Sequence, residues 1–344
     1  MATSIMQFEK LQLGIEVVST KGTRVPATIQ IPGDHAFTED QEIYRDAYPR
    51  GFRSNVGGAG VIIRKGTGLD IQTELSAEDA MWPLTTGVLG SVAASTSDTT
   101  AKTYVYTPEL TTAVQTVQSA TVEFLRGDGT TNHYYGESGY NMTESFKFDW
   151  AYNQIAKMGV KMFGRARQSD TVTAALAPYT TREALAANTL VVSWDTTWAG
   201  LGGNALTGIV RSAVFECMTG LAPDYTIEGR TDVDMTNHKV GAISATLDLV
   251  MEFDSLAAAK YVLWRSNSLV YVRLKNTGSL AGAATAFRTV QVDGAYRFMG
   301  NPSFSADGDQ VLMTAKLESV FDVTAAKTLE FTLINKVATI ASAG

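Results

Sequence analysis

Runs of alternating apolar and polar residues recur along this chain, separated by glycine, asparagine and serine. The clearest runs cover 61–75, 140–150 and 240–253. A period of two residues predicts strands with one buried face. Weaker versions of the pattern predict further strands at 11–19, 25–31, 121–125, 131–135, 160–163, 210–218, 225–229, 269–275, 289–298, 311–321 and 329–335.

Two of these strands have similar sequences and are called the echoing segments. Leu-Asp-Ile-Gln-Thr-Glu-Leu-Ser at 69–76 and Leu-Asp-Leu-Val-Met-Glu-Phe-Asp at 247–254 lie 178 residues apart (247 − 69). A capping residue and a short amphipathic helix follow each, from Ala77 onward and over 255–265. Pro83 predicts that the first helix is short or kinked. A strand, cap and helix repeated at half the chain length suggest one fold made twice.

The pattern predicts a mainly β protein of two similar antiparallel β-sandwich or barrel domains, each with one short flanking α-helix. The first domain covers 1–165, an Ala/Thr-rich linker covers 166–188, and the second domain covers 189–344. Residues 90–116 are rich in serine, threonine and alanine and predict an insertion or an exposed loop without a counterpart in the second half. A bend is expected in the strand at 61–75, near Gly66 and Gly68.

Residues 32–58 combine both signs of charge with tyrosine and arginine, and they predict a long loop. Loops of this length in compact domains are commonly functional. Tyrosine and arginine are frequent anchors of protein interfaces. The loop is therefore the first candidate for an interaction site.

The composition of the chain narrows the classes of function that it can have. The 344 residues carry a formal net charge of −7 and contain no run of lysine or arginine that would grip a nucleic-acid backbone. Cys217 is the only cysteine, so an intramolecular disulfide is impossible. The first residues lack the basic and apolar segments of a signal peptide, and no apolar run has the length of a membrane span. We expect synthesis in a cytoplasm and no membrane-spanning segment.

Motifs for catalysis or cofactor binding are weak. Gly200 and Gly202 imitate part of a dinucleotide fingerprint, but no buried strand precedes them and no helix follows. Asp232, Asp234, Asn237 and His238 fail the calcium-loop pattern, and a solvated hairpin tip explains them better. We expect no catalytic, cofactor-binding or metal site, and no enzyme; paired carboxylates stay open, because their pairing is spatial.

Two further features favour burial over chemistry. Cys217 could pair with His238 as nucleophile and base, but it lies in an apolar strand, where a lone cysteine is usually a small buried hydrophobe. The aromatic stripe of 140–150 is expected in the core, with part of it at a subunit interface as the alternative. The stripe consists of Tyr140, Phe146, Phe148 and Trp150.

Several short segments occur in an order that resembles a known family. Gly14-Ile15-Glu16 precedes Lys21-Gly22-Thr23-Arg24-Val25-Pro26-Ala27-Thr28. Gly139-Tyr140-Asn141-Met142-Thr143-Glu144-Ser145-Phe146 precedes Val160-Lys161-Met162-Phe163-Gly164-Arg165, and Val240 to Leu247 then leads to the second helix. The order and spacing resemble the major tail tube proteins of siphophages, the bacteriophages with long non-contractile tails, in their duplicated-domain form.

The resemblance implies a structural virion protein of the phage tail, assembled in the cytoplasm of the bacterial host. Monomers of the family form rings whose inner strands join into a β-lined lumen, and the rings stack into a tube that delivers the genome. A duplicated chain implies three copies in a pseudo-six-fold ring. The partners implied are further copies of the chain, a tape-measure protein in the lumen, tail terminator and distal tail proteins, and DNA passing without specific binding.

The loop at 32–58 has the composition to bridge adjacent rings, with mixed charge setting the register more than the affinity. The expected stacking residues are Asp40, Glu42, Tyr44, Arg45, Tyr48 and Arg50. Two alternatives remain. One is another phage-tail or secretion-system ring protein, such as a terminator or distal tail protein, and the other is a carbohydrate-binding β-sandwich module.

Overall fold

The computed structural model describes residues 8–44, 60–88, 95–96, 100–108, 117–127, 132–167, 172–173, 176, 179–226, 233–282 and 285–338. The strands up to residue 164 are β1 (Phe8–Ile15), β2 (Ile29–Ile31), β3 (Asp34–Tyr44), β4 (Val61–Glu74), β5 (Ser95–Thr96), β6 (Lys102–Tyr106), β7 (Ala120–Gly127), β8 (Asn132–Ala151) and β9 (Lys157–Gly164). The later strands are β10 (Leu190–Asp195), β11 (Val210–Met218), β12 (Leu221–Asp224), β13 (Asn237–Val240), β14 (Ser244–Glu252), β15 (Val270–Leu280), β16 (Phe287–Phe298), β17 (Ser303–Asp307), β18 (Gln310–Ser319) and β19 (Leu329–Asn335).

The chain is mainly β, as the alternation predicts, and neighbouring strands pair antiparallel. Within the described residues the α-helices are α1 (Met81–Gly87) and α2 (Ser255–Arg265). The Asp254 carboxylate caps α2 by accepting bonds from the amides of Leu256 (2.8 Å) and Ala257 (3.0 Å). Pro83 lies in the first turn of α1, where its missing N–H costs no helical bond, and α1 is short.

Eight strands form one continuous series in the order β3-β4-β9-β8-β11-β14-β18-β17. The series consists of two four-strand units. In each unit the strands follow one another in space as first, second, fourth and third in the chain. The echoing segments that begin at Leu69 and Leu247 occupy the second strand of their units, and a helix follows each.

One face of this series is core and the other is polar. Along β14, Leu247, Leu249 and Met251 are buried, while Thr246 and Asp248 are partly exposed. The same alternation holds on β8, β9, β11 and β18. Because side chains alternate between the faces of a strand, the sequence pattern itself fixes which face is buried.

The core face packs against strands from both halves of the chain. The rings of Phe146 and Phe215 each lie against Phe331 of β19, with centroids 5.6 and 5.8 Å apart. One cluster of buried apolar residues extends from Leu11 to Val337. Across residues 166–188, β8 pairs with β11, and the two halves share this cluster. The division of the chain into two domains at these residues therefore stays a prediction.

An ionic network also crosses between the halves. Arg288 on β16 donates to Glu78, which precedes α1, at 2.9 Å, and both side chains are buried. Arg288 also lies 3.1 Å from Glu183. Arg182 donates to Asp79 at 2.5 Å, so 182–183 of the predicted linker take part in the network.

Three predictions of local structure are wrong. The predicted loop at 32–58 contains β3, which pairs with β4 along its whole length; 45–58 lie outside the described residues. The described part of 90–116 contains β6, which pairs with β19 and buries Tyr104 and Tyr106, so this part is not an exposed loop. The first helix begins at Met81 and not at the predicted Ala77, and no side chain caps it.

Candidate assembly interface

The eight-strand series ends in two edges. Within the described residues, β3 pairs with β4 alone and β17 pairs with β18 alone. An unpaired strand edge carries a row of N–H and C=O groups able to bond another chain. β3 is the first strand of one unit and β17 is the third strand of the other, so the two edges differ from each other.

Inside the chain, the third strand of one unit meets the first strand of the other. β8 pairs antiparallel with β11 over seven residue pairs, from Ala151 opposite Ser212 to Ser145 opposite Met218. Phe148 lies opposite Phe215 in this junction, and Lys147 lies opposite Glu216. The junction therefore joins the two kinds of strand that are left free at β17 and β3.

The β17 edge bears an exposed apolar patch on its core side. Phe304 is 48% exposed and contacts Phe253 (centroids 5.1 Å apart) and Tyr261 (5.8 Å). Val311 and Leu256 are exposed beside them. A cluster of large exposed apolar side chains along a free edge is typical of a surface that a protein partner covers.

The β3 edge has a matching apolar face. Phe37 stacks on Phe124 with ring centroids 3.8 Å apart and is half-buried. A cleft of about 30 Å³ lies beside it, lined in part by His35, Phe37 and Phe124. Both ring nitrogens of His35 are buried without a hydrogen-bond partner, and burial lowers the pKa of this imidazole.

The end of the β3–β4 pairing that borders residues 45–59, here called the hairpin tip, is apolar and exposed among the described residues. Tyr44 (56% exposed) lies opposite Val61 (61% exposed), and Ile43 and Ile63 are exposed beside them. Below the tip, Arg64 contacts Asp40 at 2.6 Å and Glu42 at 3.6 Å. Surface ion pairs of this kind contribute little energy, so the apolar tip is the stronger reason to expect a partner.

Three of the six predicted stacking residues lie in this hairpin. Asp40 and Glu42 meet at Arg64, and Tyr44 stands at the tip. Arg45, Tyr48 and Arg50 lie outside the described residues. Sequence reasoning missed Ile43, Val61, Ile63 and Arg64; the predicted strand at 61–75 included the last three without marking that their side chains face solvent.

The polar face of the eight strands carries charges of both signs. Lys316 contacts Asp248 at 3.4 Å, and Lys147 contacts Asp149 at 3.4 Å. Among the described residues, carboxylates outnumber cationic side chains on this face. The cationic residues are Arg64, Lys147, Lys157, Lys161, Arg211 and Lys316, and the carboxylates are Asp34, Asp40, Glu42, Asp70, Glu74, Asp149, Glu216, Asp248, Glu252, Asp307 and Glu318.

The residues considered as candidates for catalysis or metal binding lie in the core or on strands of the fold. Cys217 is fully buried in β11, as predicted, and burial raises the pKa of its thiol. His238 lies on β13, where its Nδ1 is 3.1 Å from the Tyr140 hydroxyl, so the predicted hairpin tip is partly strand. Of the aromatic stripe, all four side chains are buried. Among the described residues no group of three or more His, Cys, Asp or Glu side chains is arranged to hold a metal.

The motif that opens the family resemblance has a clear structural role. The buried Glu16 carboxylate accepts bonds from the Gly22 amide (2.6 Å), the Tyr140 amide (2.9 Å) and the Thr121 hydroxyl (2.9 Å). Ser119 donates to the same carboxylate. Gly22 has φ +79°, and a Cβ there would lie within 3.0 Å of Arg165 and Tyr140. Glu16 therefore ties β1, its following turn, β7 and β8 together.

Neither helix in the described part of the chain combines the length and apolar character needed to cross a bilayer. No model of a known protein family matches the chain, and no curated protein shows significant similarity to it.

Proposed function

We propose that this chain is a structural protein that assembles head to tail into closed rings, and that the rings stack into a bacteriophage tail tube. The observation that carries the proposal is the β8–β11 junction. Within one chain, a third strand joins a first strand. The two end strands of the series, which have no second partner strand among the described residues, are also a third strand and a first strand. A surface that differs from its complement and repeats in one direction builds a ring when the rotation closes.

Ring closure explains the exposed edges. Long open sheet edges are aggregation sites, and closing a sheet into a barrel removes them. Two four-strand units per chain are consistent with three chains that imitate a six-fold ring. The core faces would then point outward toward the covering strands, and the polar faces would line the lumen.

The polar face suits a conduit for DNA. Phosphate affinity grows with the number of lysine and arginine contacts. On this face the lysines are interrupted by carboxylates, and Lys147 and Lys316 are paired with aspartates. A wall with an excess of carboxylates repels the DNA backbone, so the genome would pass without binding.

The apolar hairpin tip supplies a contact between rings. Tyr44 and Val61 are exposed and form the last described pair of β3 and β4. Asp40, Glu42 and Arg64 add charge that fixes register. Arg45, Tyr48 and Arg50 belong to the same proposed contact by sequence.

Negative-stain electron microscopy of the purified chain tests this function directly. We expect rings with three-fold symmetry and stacks of rings with a central channel. Closed rings that never stack would favour a terminator or distal tail protein instead. A chain that stays monomeric at high concentration, by light scattering after gel filtration, would contradict assembly.

A further inference from the structure

We propose that β17 of one chain pairs antiparallel with β3 of the next, with Phe304 opposite Phe37 and Ser305 opposite Ala36. This inference rests on the proposed ring function and specifies the contact between subunits. The partner is a second copy of this chain, and the template is the internal β8–β11 junction.

The first two strands of each unit share one register. Leu69 on β4 lies opposite Phe37 on β3, and Leu247 on β14 lies opposite Phe215 on β11. Phe37 and Phe215 are 178 residues apart (215 − 37), the same distance as Leu69 and Leu247 (247 − 69). Phe37 is therefore the counterpart of Phe215.

The other two strands also correspond. Leu69 lies opposite Met162 on β9, and Leu247 lies opposite Leu317 on β18, which makes these two residues counterparts. The same shift of 155 residues (317 − 162) makes Met158 the counterpart of Met313. Met158 lies opposite Phe148, and Met313 lies opposite Phe304, so Phe304 is the counterpart of Phe148.

The internal junction then gives the register between subunits. Phe148 lies opposite Phe215, so Phe304 should lie opposite Phe37 of the next chain. In the junction these rings stack with centroids 6.1 Å apart and an interplanar angle of 28°. Phe304 is 48% exposed in the free chain, and the half-buried ring of Phe37 offers apolar surface for it to pack against.

The residues on the polar side of the proposed pairing fit without steric conflict. Ser303 would face Thr38 and Ser305 would face Ala36, and all four side chains are exposed and small. Asp307 would face Asp34 at one end of the contact. Like charges directly opposite each other destabilise a strand pair, so this end should weaken assembly at low ionic strength.

Disulfide trapping tests the register. In A36C/S305C the new cysteines would face each other across subunits, within the Cα separation that a disulfide needs. In the control T38C/D307C, the two positions would be offset by four residues, about 13 Å along the strands. Cys217 is fully buried and remains in both variants. The single variants A36C and S305C complete the set.

We expect A36C/S305C to give a ladder of covalent oligomers on non-reducing gels under mild oxidation, at least tenfold more than T38C/D307C, ending at the closed trimer. D307N should strengthen assembly of the otherwise unmodified chain. Rings without a link in A36C/S305C, or with equal links in the offset control, would overturn the register and leave the ring function standing. A wild-type chain that forms no oligomer would overturn both.

Discussion

Phe148 and Phe215 face each other across the β8–β11 pairing, with their ring centroids 6.1 Å apart. Both side chains are fully buried, and together with Phe146 and Phe331 they form an aromatic cluster at the centre of the molecule. The same pairing, made between chains, would bury Phe304 against Phe37. One contact geometry would thus serve as core inside the chain and as interface outside it.

Replacing Phe304 with serine should weaken self-association and leave the fold intact. Phe304 is exposed in the single chain, so its loss removes little core, whereas an aromatic anchor at an interface commonly contributes more than 1 kcal/mol. We expect the apparent dissociation constant to rise at least about tenfold, about 1.4 kcal/mol. Sedimentation velocity across a concentration series measures it.

The matched control for this variant is Val323→Ser. Val323 is 82% exposed on a turn between β18 and β19. Its substitution therefore changes the hydrophobicity of the surface without altering the proposed contact. Equal sedimentation profiles for F304S and the wild type would count against β17 as an interface.

Changes at the hairpin tip should separate ring closure from ring stacking. The double variant Y44S/V61S removes two exposed apolar side chains that face each other. Surface changes of this kind alter the free energy of unfolding by only about 0.5 kcal/mol. We expect intact rings and shorter tubes in negative stain, and the same result when Tyr44, Arg45 and Tyr48 are replaced together by alanine. Tubes of wild-type length would remove the tip from the stacking contact.

The buried pair of Arg288 and Glu78 should respond strongly to loss of one partner. Arg288→Met leaves a buried carboxylate without its counter-charge, which typically costs about 3–5 kcal/mol. Urea unfolding followed by tryptophan fluorescence measures the loss. Lys316→Met is the control, because Lys316 is exposed. Adding Glu78→Gln to R288M should recover part of the lost stability. If no stability is recovered, the loss in R288M comes from packing and not from the unpaired charge.

The same pair predicts a dependence on pH. Burial raises the pKa of the Glu78 carboxyl above its ordinary value of 4.5, and Arg288 opposes that rise. Removing Arg288 raises this pKa further. A carboxyl with a higher pKa in the folded state loses stability as pH rises from the unfolded pKa through the folded one. The stability difference between wild type and R288M should therefore be larger at about pH 8 than at about pH 5; a constant difference would contradict this account.

Glu16→Gln should destabilise the fold although it preserves shape. The carboxylate accepts four donors, among them the amides of Gly22 and Tyr140. An amide in its place would turn an NH₂ group toward two of these donors, at a cost of about 1–3 kcal/mol. Glu9→Gln on the exposed side of β1 is the matched control. Urea midpoints that shift equally for both variants would deny Glu16 this role.

The strands that sequence reasoning missed include both edges of the eight-strand series. β3 contains Glu39-Asp40-Gln41-Glu42, which hides any alternation, and β17 is only five residues long. An edge strand buries less of its surface than a central strand. The requirement for alternating apolar and polar residues is therefore weaker in an edge strand. The central strands β11 and β19 agree with the predicted bounds, because their burial leaves a strong periodic signal. The helix α2 also agrees, because the Asp254 cap marks its start.

By itself, the sequence determined the mainly β class, the buried face of each central strand and the capped helix α2, because these depend on local periodicity and on side chains within a few residues. The sequence also identified Glu16, Tyr44 and the echoing segments that begin at Leu69 and Leu247. Only the tertiary structure decided which strands are neighbours, that β8 pairs with β11, and that β3 and β17 each have one partner strand in the described part of the chain. Strand order arises from pairings between residues far apart in the chain, and no local pattern encodes it.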